Sequence, residues 1–275
     1  MHTDETQRTC HRFPALIEGE FVARDNRFRV HVTTAGKTVS AYLANPGRLQ
    51  ELLVPGRPVW LTPVADTHHR KTAYNLTLIQ HPEALVSLNS HLPNVLIAKA
   101  LRQRRLSGFQ RFTEVAGEVA LGNSRLDFRL ARPDGEPAHA TCWVEVKSVT
   151  LVEEGIAQFP DAPTARGRRH LRELIAARKR GDGASVIFVV QRYDATRFTP
   201  RDSTDPEFGD TLRAAAQADV DIRAFRCSVT PSEICLEREI PVQLDAPPPE
   251  AIIPAEAACG EEQPQTTHHL TDKER

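Results

Sequence analysis

The sequence predicts an α+β protein in two folded parts, an OB-like β-barrel over residues 13–90 and a mixed α/β domain over 91–244, followed by a Pro-rich acidic tail over 245–275. Three observations predict it. Short runs with partial apolar alternation, separated by turn residues, fill the first part. From Leu92 the texture changes to helix-period stripes interleaved with strand-like runs. After Leu244 the chain turns to Asp245-Ala246-Pro247-Pro248-Pro249, which neither a helix nor a central strand accepts.

In the first part, Ala15–Arg24 and Arg27–Thr33 flank the turn Asp25-Asn26, and Lys37–Leu43 follows Gly36. Asn45-Pro46-Gly47-Arg48 is a strong turn signal, and Val59–Val64 and Tyr74–Ile79 complete five short strands. That many strands in so few residues favours a small OB-type barrel. Tyr42, Trp60 and Tyr74 fall in these strands and read as core in preference to base-stacking platforms.

In the second part, Asn94–Leu101 has helical spacing, and Phe112–Leu121, Arg125–Ala131 and Thr141–Val149 read as strands. The turn Pro133-Asp134-Gly135 separates the last two. Thr164–Arg180 is a helix with Leu171, Leu174 and Ile175 as its stripe, closed by Gly181 and Gly183. Ser185–Val190 is wholly apolar and β-rich, hence a buried strand. Phe208–Ala218 reads as a helix, Asp221–Val229 as a strand, and Ile234–Leu244 closes the domain.

Hydrophobic residues make up 40% and charged residues 26%, which is ordinary for a globular chain. No apolar run approaches the ~20 residues that cross a bilayer, and Met1–Glu5 lacks the basic flank of a signal peptide. A cytoplasmic protein with no membrane partner is expected, with the oligomeric state left open, a homodimer included. Cys10, Cys142, Cys227, Cys235 and Cys259 form no C-x-x-C pair, so reduced thiols are expected in place of a disulfide framework.

The net charge of −1 argues at first against nucleic acid. Its distribution softens this: from Ala246 onward six acids face two bases, so the tail is −4 and the rest +3. Arginines cluster at Arg102, Arg104 and Arg105 and again at Arg166, Arg168, Arg169 and Arg172, followed by Arg178, Lys179 and Arg180. Such clusters are either solvated helix faces or phosphate contacts.

The chemistry-bearing pattern is Asp127 in Ser124–Leu130 and Glu145 with Lys147 in Trp143–Val149. In each strand apolar residues alternate with charged ones: Leu126, Phe128 and Leu130 around Asp127, and Val144 and Val146 around Glu145 and Lys147. A hairpin would set Asp127 beside Glu145 and Lys147. Paired carboxylates suit Mg²⁺ or Mn²⁺, and a lysine there can orient water or stabilise the charge of a phosphoryl transition state. This is the set of a PD-(D/E)XK nuclease. Glu118 could add a carboxylate, and His170 shares a helix face with Arg166. Alone, a D…E-x-K pattern is short and arises by chance in a charged chain. Two alternating strands, a preceding helix and an arginine-rich helix after them give it weight.

These residues lie in longer blocks. Glu145-Val146-Lys147-Ser148-Val149-Thr150-Leu151, then Phe159-Pro160-Asp161 through His170-Leu171-Arg172-Glu173-Leu174, together with Ser124–Phe128, Asn45–Leu49 and Arg70-Lys71-Thr72, are similar to the signature of the sugar fermentation stimulation protein family of bacteria and archaea. The resemblance runs from about Phe13 to Leu244. It implies an N-terminal OB-type domain, a C-terminal PD-(D/E)XK nuclease-like domain, metal ligands at Asp127 and Glu145, and a catalytic Lys147. It also implies DNA as partner and a regulatory link to sugar (maltose) metabolism. The family's Asn-Thr-Gly turn here carries Pro46 in place of threonine. Two functions follow: a Mg²⁺-dependent nuclease, with Arg125, Arg166, Arg168, Arg169, His170 and Arg172 toward the nucleic acid, or a non-catalytic DNA-binding regulator that keeps the fold.

Overall fold

A computed structural model of the chain describes residues 8–65, 71–132 and 141–245. The turn at 133–135 and the tail beyond Asp245 lie outside the described residues, as do Arg70 and Cys259.

Strand β1 (Thr9–Arg12) comes first, then β2 (Ile17–Asn26), β3 (Arg29–Thr34), β4 (Lys37–Leu43), β5 (Pro58–Pro63), β6 (Tyr74–Gln80) and β7 (Leu85–Ser87). Strands β2 to β7 form one sheet in the order β4-β3-β2-β5-β6-β7, and a parallel β4–β6 pairing closes the first five into a barrel. The expected OB-type barrel is therefore present. Its core is Phe21, Val30, Val32, Leu43, Leu61 and Leu76 with their neighbours. Tyr74 packs partly buried against that core, and Trp60 packs against the core of the second domain. Tyr42 instead stacks on the exposed Phe28, their ring centroids 6.0 Å apart.

The second part contains α1 (Leu92–Arg102), β8 (Glu114–Leu121), β9 (Ser124–Ala131), β10 (Thr141–Val149), β11 (Val152–Glu153), β12 (Ile156–Phe159), α2 (Ala165–Lys179), β13 (Gly183–Val190), β14 (Arg197–Pro200), α3 (Pro206–Gln217), β15 (Asp221–Val229) and β16 (Glu233–Ile240). The main sheet has the order β1-β16-β15-β13-β10-β9-β8, with β10, β13 and β15 parallel. Helix α1 and the barrel-side residue Leu78 pack on one face, and α2 and α3 on the other. Thr164 caps α2 by accepting from Gly167 N at 3.0 Å, and Asp205 caps α3 by accepting from Phe208 N at 3.0 Å, which places each helix start where its polar cap residue stands. The small sheet β11-β12-β14 was not expected; its strands run only two to four residues, too short for alternation to register.

Strand β1 corrects one expectation. It pairs with β16, opposite the barrel's place in the chain, and sets Cys10 directly across from Cys235 with Cα atoms 4.0 Å apart, in a disulfide. The two are 225 residues apart, so no spacing motif could reveal the pairing. Cys142 and Cys227 are free and buried, and burial pushes the Cys142 thiol up to about 12. Among the described residues no helix is long and apolar enough to cross a membrane.

The barrel is locked to the second domain where β13 ends. Ser87 N donates to Gln191 O at 3.1 Å, Ser87 Oγ to Gln191 Oε1 at 3.0 Å, and Gln191 Nε2 to Ser148 Oγ at 3.0 Å. The fully buried Arg192 holds Asp194 in a fork (2.7 and 2.5 Å), reaches Thr150 O at 3.4 Å and meets His81 Nδ1 of the barrel at 3.2 Å. Removing one member of such a group strands the other. Arg192→Met is expected to lower the unfolding free energy by about 3 kcal/mol in a denaturant titration. A change under about 1 kcal/mol would show that the lock is dispensable.

Candidate metal and nucleic-acid site

Strands β8, β9 and β10 pair regularly until they reach Asp127, and there both ladders break. In β8–β9, Gly117 pairs with Phe128 and Val119 with Leu126, but Glu118, which the register sets against Asp127, adopts a left-handed φ of 52°. In β9–β10 the ladder stops at Phe128–Val144. The faces change at the same point: Phe128, Leu130 and Val115 lie with the α1-side core, whereas Leu126, Val119 and Leu121 lie with the α2-side core. The expected single apolar face of β9 is thus two half-faces, with Asp127 at the crossing.

The backbone donor freed by this break goes to Asp127. Val146 N donates to Asp127 Oδ2 at 2.7 Å, and Asn94 Nδ2, from the first turn of α1, donates to Oδ1 at 2.6 Å. Glu145 and Lys147 emerge from β10 on the α2 side, as alternation requires. Glu145 is buried, and its Oε1 receives Lys147 Nζ at 2.5 Å and the ring Nδ1 of the buried His170. Its other oxygen, Oε2, is buried with no hydrogen-bond partner.

Asn94, Asp127, Glu145 and Lys147 line a cleft of about 470 Å³ at the carboxyl end of β10, roofed by Arg27, Asn45, Pro46 and Gly47 of the barrel. Open α/β sheets place their ligands at that end of the strands. The Phe159-Pro160-Asp161 segment, Gln158 and Arg166 form the far wall. Asp161 also fixes the roof: its Oδ2 accepts from Leu49 N at 3.4 Å, and a Cβ on Gly47 would collide with that carboxylate.

The two carboxylates differ electrostatically. Burial, and then the Glu145 charge, push Asp127 up to about 6 against the opposing pull of the Val146 N–H, Lys147 and Asn94. Burial would also raise Glu145, but Lys147 and His170 outweigh it and hold the carboxyl below its usual range. A divalent cation fits this donor set. Two carboxylates supply hard oxygen ligands, and the orphaned Glu145 Oε2 lacks any other positive partner.

The other expected site residues separate clearly. Glu118 is turned out by its left-handed backbone and ion-pairs with the equally exposed Arg125 at 3.5 Å, so neither lines the cleft. Arg168 is held by Asp205 at 2.8 Å and Glu207 at 3.2 Å, where it braces the caps of α2 and α3. Arg169 donates to Ser124 Oγ at 3.3 Å, and Arg172 is exposed away from the cleft lining. His170 is buried on Glu145 and faces no solvent. Of the six expected nucleic-acid contacts, only Arg166 lines the cleft. Asn94, Arg27, Gln158 and Asp161 were missed. Asn94 carried one signal, a polar residue on the first turn of an apolar-striped helix.

The raised Asp127 carboxyl has a defined consequence for pH. The folded protein holds a proton that the unfolded chain releases above its ordinary value of 3.8. The contribution of this group to metal-free stability is therefore full below its ordinary value of 3.8 and is lost as pH rises to about 6, by up to about 3 kcal/mol. Asp127→Asn, whose amide can serve the same two neighbours once Asn94 flips, is expected to remove that dependence. It should raise the metal-free melting temperature at pH 8 and abolish the further rise caused by Mn²⁺ or Ca²⁺. A variant that melts lower than wild type at pH 8 and still gains from metal would contradict this assignment.

Comparison with known proteins agrees with this architecture. The chain matches the family model described as the sugar fermentation stimulation protein RE domain over residues 91–233 and that of the SfsA N-terminal OB domain over residues 22–88. A sugar fermentation stimulation protein homolog of Moorella thermoacetica is 48% identical over 229 residues, 83% of this chain and 97% of the relative. One of Desulforamulus reducens is 44% identical over 231 residues, 84% and 94% of the two chains. A solved structure of Pyrococcus furiosus SfsA in complex with Ca²⁺ shares 29% identity at a TM-score of 0.77, covering 85% of this chain and 98% of that one. This chain belongs to the sugar fermentation stimulation protein family.

Proposed function

We propose that this protein binds DNA in the cleft between barrel and sheet and hydrolyses its phosphodiester bonds at a divalent-metal site formed by Asp127 and Glu145. The observation that carries this reading is a buried carboxylate with an unpartnered oxygen, Glu145, next to the half-buried Asp127 and a lysine in an open, cation-walled cleft. The Ca²⁺ complex of the Pyrococcus furiosus relative supports a hard cation in this fold.

In this reading Asp127 and Glu145 hold Mg²⁺ or Mn²⁺, which when bound polarises the phosphate and lowers the pKa of a coordinated water. Asn94 and the Val146 N–H keep Asp127 oriented, and His170 does the same for Glu145. Lys147, only 11% exposed, stands where it can hold the attacking water and stabilise charge developing on the phosphate. Arg27 and Arg166 reach the cleft from opposite walls, and among the described residues neither has an ion-pair partner. They supply sequence-independent phosphate contacts.

The test is incubation of labelled single-stranded, duplex and branched DNA with Mg²⁺, Mn²⁺ or EDTA, beside Lys147→Ala and Asp127→Ala. Metal-dependent cutting, lowered at least a hundredfold in both variants, is expected. Uncut DNA that all three proteins retain in a salt-sensitive manner would instead establish a non-catalytic DNA-binding regulator.

A further inference from the structure

Asp127 faces two hollows. Besides the metal cleft, an open groove of about 540 Å³ runs between α1 and the β8–β9 hairpin. It shares Asn94 and Asp127 with the cleft and continues over Val95, Ala98, Phe128 and Gly117 to Lys99 and Arg102. Its volume lies within the range of pockets that take small organic ligands.

Three features of the groove point to an occupant. Its floor is apolar, and Val95 is 46% exposed there, a large side chain on α1 left uncovered by the fold. Its rim is cationic: Lys99 donates to Cys10 O at 2.9 Å, whereas exposed Arg102 has no hydrogen-bond or ion-pair partner among the described residues. The acid at the rim, Glu118, is already paired with Arg125. The third feature is Gly117. A glycine inside a strand weakens it and commonly marks close approach of a ligand or backbone. Here a Cβ would meet nothing nearer than the Asp127 carbonyl oxygen at 3.9 Å, so the fold itself does not require the missing side chain.

We infer that this groove seats the nucleotide next to the scissile phosphate, on the side of Asp127 away from the barrel, its base or sugar against Val95 and Phe128 and its phosphate toward Arg102. The inference rests on the proposed nuclease reading and specifies its substrate: a strand that runs past Asp127 in both directions, with one nucleotide lifted out of a stack into the groove. Single-stranded or branched DNA meets that demand at less cost than an intact duplex.

The test uses the full chain in Ca²⁺ and measures retention of fluorescent single-stranded, branched and duplex DNA by anisotropy. Val95→Trp and Gly117→Leu fill the groove from opposite walls, Arg102→Glu reverses its rim charge, and Arg238→Glu, an exposed residue on β16, controls for net charge. The Ca²⁺-induced rise in melting temperature, unchanged in each, reports that fold and metal site are intact. The expected result is a tenfold or greater loss of single-stranded and branched DNA binding in the three groove variants, with a loss under threefold in Arg238→Glu. Groove variants that bind like Arg238→Glu, while the wild type binds DNA in a metal-dependent manner, overturn the groove assignment and leave the nuclease reading standing. A wild type that retains no DNA brings down both.

Discussion

The left-handed backbone of Glu118, opposite Asp127, is the constraint on which the rest of this site depends. A regular antiparallel hairpin would keep Leu126 and Phe128 on one face and project Asp127 from the other. The break at Glu118 lets both strands of the hairpin pass from the α1-side core to the α2-side core within one residue pair. A broken ladder leaves backbone groups to satisfy. The Val146 N–H, which a continuing β9 would have paired, is taken by the Asp127 carboxylate. The same bond therefore ends the ladder, holds the carboxylate at the cleft and leaves Val146 N–H satisfied.

From that point the environments of the two carboxylates diverge. Glu145 receives a lysine and a histidine on one oxygen, so its charge is settled before any ion arrives. Asp127 receives only neutral donors and a carboxylate neighbour, and its charge is unsettled. A cation between them would relieve Asp127 and occupy the free Glu145 oxygen together. The roof over this arrangement is also specified. Arg24 binds the carbonyls of Gly47 and Arg48 at 2.8 Å each, and Gly47 N donates to Asn45 Oδ1 at 3.0 Å. The loop holds its shape without an N–H or hydroxyl at position 46, which is why Pro46 is tolerated there.

Much of this was legible in the sequence, for reasons that differ by element. Strands β9 and β10 carry clean alternation, so the approach of Asp127 to Glu145 and Lys147 followed from periodicity. Helix α2 declared itself through its stripe of Leu171, Leu174 and Ile175 and the glycines after it, whereas α3 begins at Pro206, two residues before the expected Phe208. What escaped was decided by tertiary pairing. Strand β1 has four residues and exists because β16 offers an edge to it, and the Cys10–Cys235 bond follows from that register. Glu118 alternates correctly on paper, but alternation carries no information about a residue's φ. His170 was expected to face a phosphate, and only three-dimensional packing shows it spent on Glu145.

The arginines make the same point about charge. Arg168, Arg192, Arg213, Arg223 and Arg226 are all committed to carboxylates inside the protein, so neither a net charge of −1 nor a run of basic residues measures what the surface offers to a polyanion. Counterion release depends on cations free to meet phosphate. Arg27 stands on the barrel side of the cleft and Arg166 on the α2 side, and Arg102 borders the groove beyond Asp127. These three come from separate parts of the sequence, and folding alone brings them around one carboxylate. In the proposed reading, a strand of phosphates following them passes by Asp127, which both hollows share. The path of positive charge and the proposed metal site thus coincide, although neither predicts the other from composition.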